Sequence, residues 1–118
     1  MRTLWISIAV LMFATVGHAG KAEAGGYFTG SQLLEMCESD SVTDKTTCIV
    51  YLGGFYEATS LYDGWGILKG NHFCLPEGVT LDQLRKVAIK GLNENPENLH
   101  LAAGGPVATV LRDAWPCD

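Results

Sequence analysis

The chain has 118 residues, which is enough for one small domain. It carries 8 Lys and Arg against 13 Asp and Glu, a formal net charge of −5 at pH 7. This balance argues against nucleic acid and anionic membranes as partners, because both repel negative charge. It suits a basic protein partner, although most excess charge forms only a solvated face.

The N-terminus has the three parts of a secretory signal peptide. Arg2 supplies positive charge, residues 4–16 are apolar apart from one serine and one threonine, and small residues end at Ala19. We predict a signal peptide over residues 1–19; cleavage after Ala24 is the alternative. A membrane anchor is disfavoured because this apolar run is shorter than the roughly 20 residues that span a bilayer.

Cleavage after Ala19 changes the net charge to −6, because Arg2 is the one charged residue removed. Residues 20–27 are small and polar, and we predict a disordered leader there. Residues 28–118 form the predicted domain. An exported chain of this kind, with no membrane span after cleavage, is expected in the periplasm.

Two capping boxes mark helix starts. Thr29-Gly30-Ser31-Gln32 predicts a first helix over about Gly30–Glu38. Thr80-Leu81-Asp82-Gln83 predicts a third helix that ends near Asn93. In both motifs the hydroxyl and the glutamine side chain satisfy backbone N–H groups that the first helical turn leaves unpaired.

A second helix is predicted over about Lys45–Tyr62, where apolar residues recur three or four positions apart. Asp44 or Thr46 serves as its cap. The β-prone run Ile49–Tyr51 is the argument for a strand, and the longer helical period outweighs it. Gly53-Gly54 disfavours a helix by about 1 kcal/mol per glycine, so we expect another helix to pass close there.

Two shorter helical segments follow. Asn95-Pro96-Glu97 places a proline at the first helical position, and predicts a short turn through about Leu99. Pro106 starts the last predicted helix in the same way, and Trp115-Pro116 ends it.

Four cysteines lie in the predicted mature chain: Cys37, Cys48, Cys74 and Cys117. An even number behind an export signal predicts two disulfides, with three pairings open. The helix order favours Cys37–Cys48, which locks a helical hairpin, and Cys74–Cys117, which ties the C-terminal half. Zinc is disfavoured because no two cysteines are spaced as a close ligand pair. The predicted fold class is therefore all-α, a small disulfide-stapled bundle of about four helices.

No catalytic motif is present. The predicted mature chain has two histidines, His72 and His100, and neither has a serine or cysteine partner in a recognisable arrangement. Cysteines in disulfides are not available as nucleophiles. We predict a protein that is not an enzyme and that uses no cofactor and no metal.

A protein-binding surface is the remaining prediction. Aromatic side chains near the end of the second helix exceed the needs of a small core, so Tyr62, Trp65 and Phe73 are candidate anchors, with core packing as the alternative. Acidic residues also gather after the first helix, where a solvated face is the alternative. The candidate contact residues are Glu38, Asp40, Tyr62, Asp63, Trp65, Lys69, Asn71 and His72.

The sequence resembles the Rap/Tai family of immunity proteins, which are exported and neutralise type VI secretion effectors. The resemblance covers residues 28–117. It rests on segments in a fixed order: Thr29–Glu35 with Cys37-Glu38, Cys48–Gly54, Phe73–Thr80, Leu84-Arg85, Asn95-Pro96-Glu97, His100 and Ala114–Cys117. One departure is Gly104-Gly105-Pro106, which stands where a more helix-friendly run is expected.

The resemblance implies an all-helical periplasmic protein, often a homodimer, that binds a peptidoglycan amidase and occludes its active site. The quoted residues are caps, glycines and cysteines, so they specify the fold and leave the partner open. Two alternatives compete with an immunity protein. One is a periplasmic acid-stress chaperone of the HdeA kind, which would unfold partly near pH 2–3 as carboxylates protonate. The other is a structural envelope protein.

Overall fold

The computed structural model of the protein describes residues 25–70 and 72–118. The predicted signal peptide and residues 20–24 of the predicted leader lie outside this part. The described residues form four α-helices and one 3-10 helix: α1 (Gly30–Glu38), α2 (Val42–Gly64), α3 (Leu81–Glu94), the 3-10 helix (Pro96–Asn98) and α4 (Gly104–Ala114). Within the same residues no strand forms, and no helix has the length and apolarity to cross a membrane. The all-α prediction is confirmed.

Side-chain caps set the starts of α1 and α3, as predicted. Thr29 Oγ1 accepts from the backbone N–H of Gln32 at 3.2 Å, and Gln32 Oε1 accepts from the N–H of Thr29 at 2.9 Å. At α3, Thr80 Oγ1 accepts from the N–H of Gln83 at 3.1 Å, but the predicted return bond from the N–H of Thr80 to the Gln83 side chain is absent from the described residues, so this capping box is only half formed. Each cap satisfies a backbone donor that has no partner within its helix.

The predicted start of α2 was wrong by three residues. The helix begins at Val42, and Ser41 caps it by accepting from the N–H of Asp44 at 3.4 Å. Thr46, one of the predicted caps, lies inside the helix and donates its hydroxyl proton to the carbonyl of Val42 at 2.8 Å. The last helix also begins earlier than predicted, at Gly104, so Pro106 is its third residue.

Both predicted disulfides are present. Cys37 at the end of α1 is bonded to Cys48 in α2, and Cys74 before α3 is bonded to Cys117 after α4. In the chain-entropy model, closing loops with separations of 11 and 43 residues contributes roughly 3 and 4 kcal/mol. Such cross-links are a large share of the stability of a small domain, which is about 5–15 kcal/mol.

The hydrophobic core lies where α1, α2, α3 and α4 meet. Its buried members come from every helix and from the segment before α3: Leu33, Cys37, Cys48, Leu52, Phe73, Leu84, Ala88, Ala103, Val107 and Leu111. The rings of Tyr51, Phe55 and Tyr56 pack against this cluster from the side of α2. Phe73 stacks on Phe55 with ring centroids 6.2 Å apart, so it is a core residue and not a partner anchor.

The close helix contact occurs at Gly91 and not at Gly54. A Cβ added at Gly91 on α3 would overlap the side chain of Val110 on α4. A Cβ at Gly53 would lie 3.2 Å from Leu81 Cδ2, and one at Gly54 would meet nothing within 4 Å. The expectation that another helix passes close to Gly53-Gly54 was therefore wrong for Gly54, which is exposed.

Arg85 links α3 to the end of α1. Its Nη1 donates to the backbone carbonyl of Cys37 at 2.6 Å, and its Nε donates to Asp82 Oδ1 at 3.2 Å. Lys86 Nζ lies 2.9 Å from Asp82 Oδ2. The Lys86 ammonium and then the Arg85 guanidinium lower the pKa of the Asp82 carboxyl.

Candidate partner-binding surface

The last turn of α2 projects beyond the helices that cover its first part. Every residue from 60 to 67 is exposed. Four of them are large and apolar, with exposed fractions of 51% for Leu61, 46% for Tyr62, 63% for Trp65 and 57% for Ile67. We call these four residues, together with Asp63, the α2 tip. Such a grouping of apolar side chains outside a core is typical of a binding surface.

Backbone hydrogen bonds hold the α2 tip in one shape. The N–H of Ile67 donates to the carbonyl of Tyr62 at 3.0 Å, and the N–H of Gly66 donates to the carbonyl of Asp63 at 2.8 Å. This is a Schellman motif, and it requires the positive φ of +70° that Gly66 adopts. The rings of Tyr62 and Trp65 then lie 5.9 Å apart. The tip is therefore ordered before any partner arrives.

The chain returns from the tip towards the core through Lys69 and His72. Lys69 is exposed and has a φ of +49°, in the left-handed region. The next residue, Gly70, also has a positive φ, +82°, and the two together form a turn. Asn71, another predicted contact residue, lies outside the described residues. His72 is mostly covered, and its Nδ1 lies 3.4 Å from Asp63 Oδ1. This contact joins the end of α2 to the end of the segment that follows the tip.

A shallow cleft of about 240 Å³ lies beneath this connection. Its walls come from α2 and from the segment that leads to α3: Tyr56, Thr59, Ser60, Asp63, His72, Phe73, Cys74 and Leu75. Nδ1 of His72 is shielded from solvent and has no aligned hydrogen-bond partner, so its contact with Asp63 is a close approach of the two side chains without hydrogen-bond geometry. The interaction depends on the imidazole carrying a proton.

The two predicted contact regions lie at opposite ends of α2. Glu38 and Asp40 precede the helix, whereas Tyr62 and Trp65 lie at its end. With a rise of about 1.5 Å per residue, the helix separates the two groups by about 30 Å. Glu38 accepts from Asn93 Nδ2 at 3.1 Å, and Asp40 lies 4.0 Å from Lys45 Nζ. The acidic pair and the tip are thus two surfaces and not one.

Comparison with known protein families matches residues 29–117 to the Rap1a immunity proteins. The chain belongs to this family. The matched residues run from the cap of α1 to Cys117, and so include all four helices and both disulfides. Comparison with curated proteins gave no match, and neither did comparison with solved structures.

Membership in the Rap1a immunity proteins implies that the chain binds an effector protein. The α2 tip agrees with this role, because Trp and Tyr are the residues that dominate protein interfaces. Tyr62, Asp63 and Trp65 were predicted from the sequence. Leu61 and Ile67 were not among the predicted contact residues, although Gly66 could have indicated a helix end at which the residue after the glycine packs back on the last turn.

One group of metal-ligand atoms lies beside the second disulfide. A ring nitrogen of His72 and the sulfurs of Cys74 and Cys117 are within 4.8 Å of one another, and no other such group occurs among the described residues. The two sulfurs are bonded to each other. Zinc takes cysteine as a thiolate, so this group does not fit a metal while the disulfide is closed.

Proposed function

We propose that the chain is an immunity protein that binds a peptidoglycan amidase delivered by a type VI secretion system and blocks the active site of that amidase. Membership in the Rap1a immunity proteins supports the effector-binding role. The single observation that carries the mode of action is the exposed, pre-ordered α2 tip. Inhibition then needs no catalytic residue in the chain itself, because occlusion of a cleft excludes the substrate.

The α2 tip suits insertion into a cleft. Tyr62 and Trp65 offer large apolar surfaces with polar edges, and Asp63 adds an exposed carboxylate to the same turn. Because the Schellman motif already orders the tip, little conformational entropy is lost on binding, and more of the contact energy appears as affinity. Lys69, Asn71 and His72 follow the tip in the chain and complete the proposed contact; Lys69 is exposed and His72 is mostly covered.

The acidic end of α2 is a second contact region in this proposal. Asp40 is fully exposed, and Glu38 lies beside it on the surface. A chain with a net charge of −6 after cleavage would be steered towards a basic partner, and this raises the association rate more than the affinity. At about 30 Å from the tip, the two carboxylates would touch the rim of a partner and not its cleft.

We propose that the binding form is a homodimer paired through α2. One face of this helix is exposed and carries small or apolar residues four positions apart: Val50, Gly54 and Ala58. A face of this kind lets two helices approach closely, because Gly54 has no side chain and a Cβ added there would meet no atom within 4 Å. Sedimentation of the mature chain as a dimer, and of Val50→Arg as a monomer, tests this part of the proposal.

The proposed site of action is the periplasm. Peptidoglycan lies there, and the predicted signal peptide over residues 1–19 would bring the chain to it. Two disulfides agree with an oxidising compartment. Mass spectrometry of the protein from its native host should find an N-terminus at Gly20, or at Gly25 for the alternative cleavage.

The experiment that tests the function uses tagged mature protein as bait in periplasmic extract and in cells that produce the co-encoded effector. The expected result is capture of an amidase, inhibition of its peptidoglycan cleavage at a molar ratio near one, and survival of the cells. Capture of the effector with full amidase activity would refute occlusion. No protection against any co-encoded toxin would refute the immunity role.

A further inference from the structure

The two disulfides lie in very different surroundings. Cys37 and Cys48 are both 0% exposed, inside the core between α1 and α2. Cys74 is exposed and Cys117 is half-buried, near the C-terminus. A thiolate can reach a sulfur at the surface directly, whereas a sulfur in the core becomes accessible only when the fold opens.

A histidine lies beside the accessible disulfide. A ring nitrogen of His72 and both sulfurs lie within 4.8 Å of one another. Asp63 on α2 faces the imidazole, with its Oδ1 at 3.4 Å from Nδ1. The other titratable side chain in the cleft is Tyr56 of α2, and Lys69 is the charged residue in the connection before His72. A protonated imidazole near sulfur stabilises a thiolate.

We propose that Cys74–Cys117 is a thiol-exchange site, opened by a dithiol, in which His72 stabilises the departing thiolate. The attacking thiolate forms a bond with Sγ of Cys74, the more exposed residue of the pair. The bond between the two cysteine sulfurs breaks, and its electron pair leaves on Sγ of Cys117 beside the imidazolium. Asp63 is a positioning residue, because it acts through His72.

The second thiol of the dithiol completes the reaction. As a thiolate it attacks the sulfur already bound to Cys74, so the dithiol leaves as a disulfide and the electron pair passes to Cys74. The two protein thiolates take up two protons, and the protein has gained two electrons from the dithiol. Cys37–Cys48 takes no part.

Opening this bond would remove the covalent link between the C-terminal tail and the segment that leads back from the α2 tip. The hydrogen bond from the N–H of Cys74 to the carbonyl of Trp115, at 2.9 Å, and the adjoining bridge between Phe73 and Pro116 would still join them. The α2 tip itself keeps its Schellman hydrogen bonds. His72 and Asp63 also belong to the proposed partner contact, but the exchange can be tested on the mature chain without a partner protein.

The test treats oxidised mature protein with limiting dithiothreitol between pH 5.5 and 8, blocks free thiols with iodoacetamide, and identifies the labelled cysteines by peptide mass spectrometry. We expect Cys74 and Cys117 to be labelled at least about tenfold faster than Cys37 and Cys48. Equal rates for the two disulfides would overturn the proposal.

The role of His72 is tested by the variant His72→Gln, with His100→Gln as the control for an exposed histidine elsewhere. If the imidazolium lowers the pKa of the leaving thiol by about one unit, a Brønsted slope of about 0.5 gives about threefold slower opening for His72→Gln near pH 6. The difference from wild type should vanish near pH 8, where imidazole is neutral. A merely structural effect would persist at both pH values.

A second variant keeps the test decisive if His72→Gln disturbs the fold, which circular dichroism would reveal. Asp63→Asn leaves the imidazole in place and removes the carboxylate that contacts it. It should slow opening near pH 6 in the same direction as His72→Gln and leave the rate near pH 8 unchanged. If neither variant changes the ratio of rates at any pH, His72 has no part in the exchange.

Discussion

The contact between α3 and α4 at Gly91 gives a sharp test of the packing. In Gly91→Ala the new methyl group would overlap both γ carbons of Val110, which is 5% exposed. A valine in a helix has one strongly preferred rotamer, so its side chain cannot simply rotate away. Overpacking of this kind costs typically about 1–3 kcal/mol, and we expect the upper part of that range.

The helix propensity of alanine offsets about 1 kcal/mol of this cost, so the expected net loss is about 1–2 kcal/mol. For a domain near 100 residues each kcal/mol lowers Tm by roughly 4–8 °C. The matched control is Gly105→Ala on α4, where a Cβ would meet nothing within 4 Å. It should be neutral or slightly stabilising.

Thermal unfolding followed by circular dichroism measures both variants. Adding Val110→Ala to Gly91→Ala should relieve the overlap, so the two substitutions should be less destabilising together than the sum of each alone. If Gly91→Ala raised Tm as much as Gly105→Ala, the two helices would not be in contact at this position and the packing described here would be wrong.

Two further predictions concern Arg85 and its neighbours. Arg85→Ala should lower the free energy of unfolding, measured in urea, by about 1.5–3 kcal/mol, because it removes a charge-assisted hydrogen bond to the carbonyl of Cys37. The control is Lys86→Ala, which removes an exposed side chain and should change this free energy by less than about 1 kcal/mol. Asp82→Asn should lower Tm at pH 7 but not at pH 2. The folded-state pKa of Asp82 is depressed, so its contribution is present above the unfolded pKa of about 4 and is lost as pH falls through the folded value. An equal Tm difference at both pH values would contradict this assignment.

The helix starts that could be predicted are those fixed by local chemistry. The capping boxes at Thr29 and Thr80 contain their own hydrogen-bond partners three residues away, and both helices begin where predicted. The α2 start could not be read in the same way, because Ser41, Asp44 and Thr46 are all residues that cap helices. Only the folded chain shows which of them accepts the backbone N–H.

The close contact at Gly91 was not predictable, because it depends on which helix passes there. Gly53-Gly54 is a stronger signal in the sequence, yet Gly54 faces solvent. A glycine in a helix shows that a side chain is absent, and it does not show what fills the space. Val110 does so at Gly91, from a helix 19 residues further along the chain.

The candidate site was predictable in composition and not in arrangement. Tyr62 and Trp65 stood out because a small core has no room for every aromatic ring, and both are exposed in the fold. Phe73 is also aromatic and was also a candidate anchor, but it is buried. Glu38 and Asp40 belong to a separate surface, since the uninterrupted length of α2 lies between them and the tip.

The most direct test of the proposed function is the affinity of the mature chain for its amidase, measured by calorimetry for wild type, Trp65→Ala and Leu101→Ala. Leu101 is also a large exposed apolar residue, 45% exposed, but it lies just before α4 and outside the tip. Trp65→Ala should weaken binding by about thirtyfold or more, the value for an anchor worth about 2 kcal/mol, while Leu101→Ala binds as wild type does. Equal affinities for all three proteins would contradict recognition through the α2 tip.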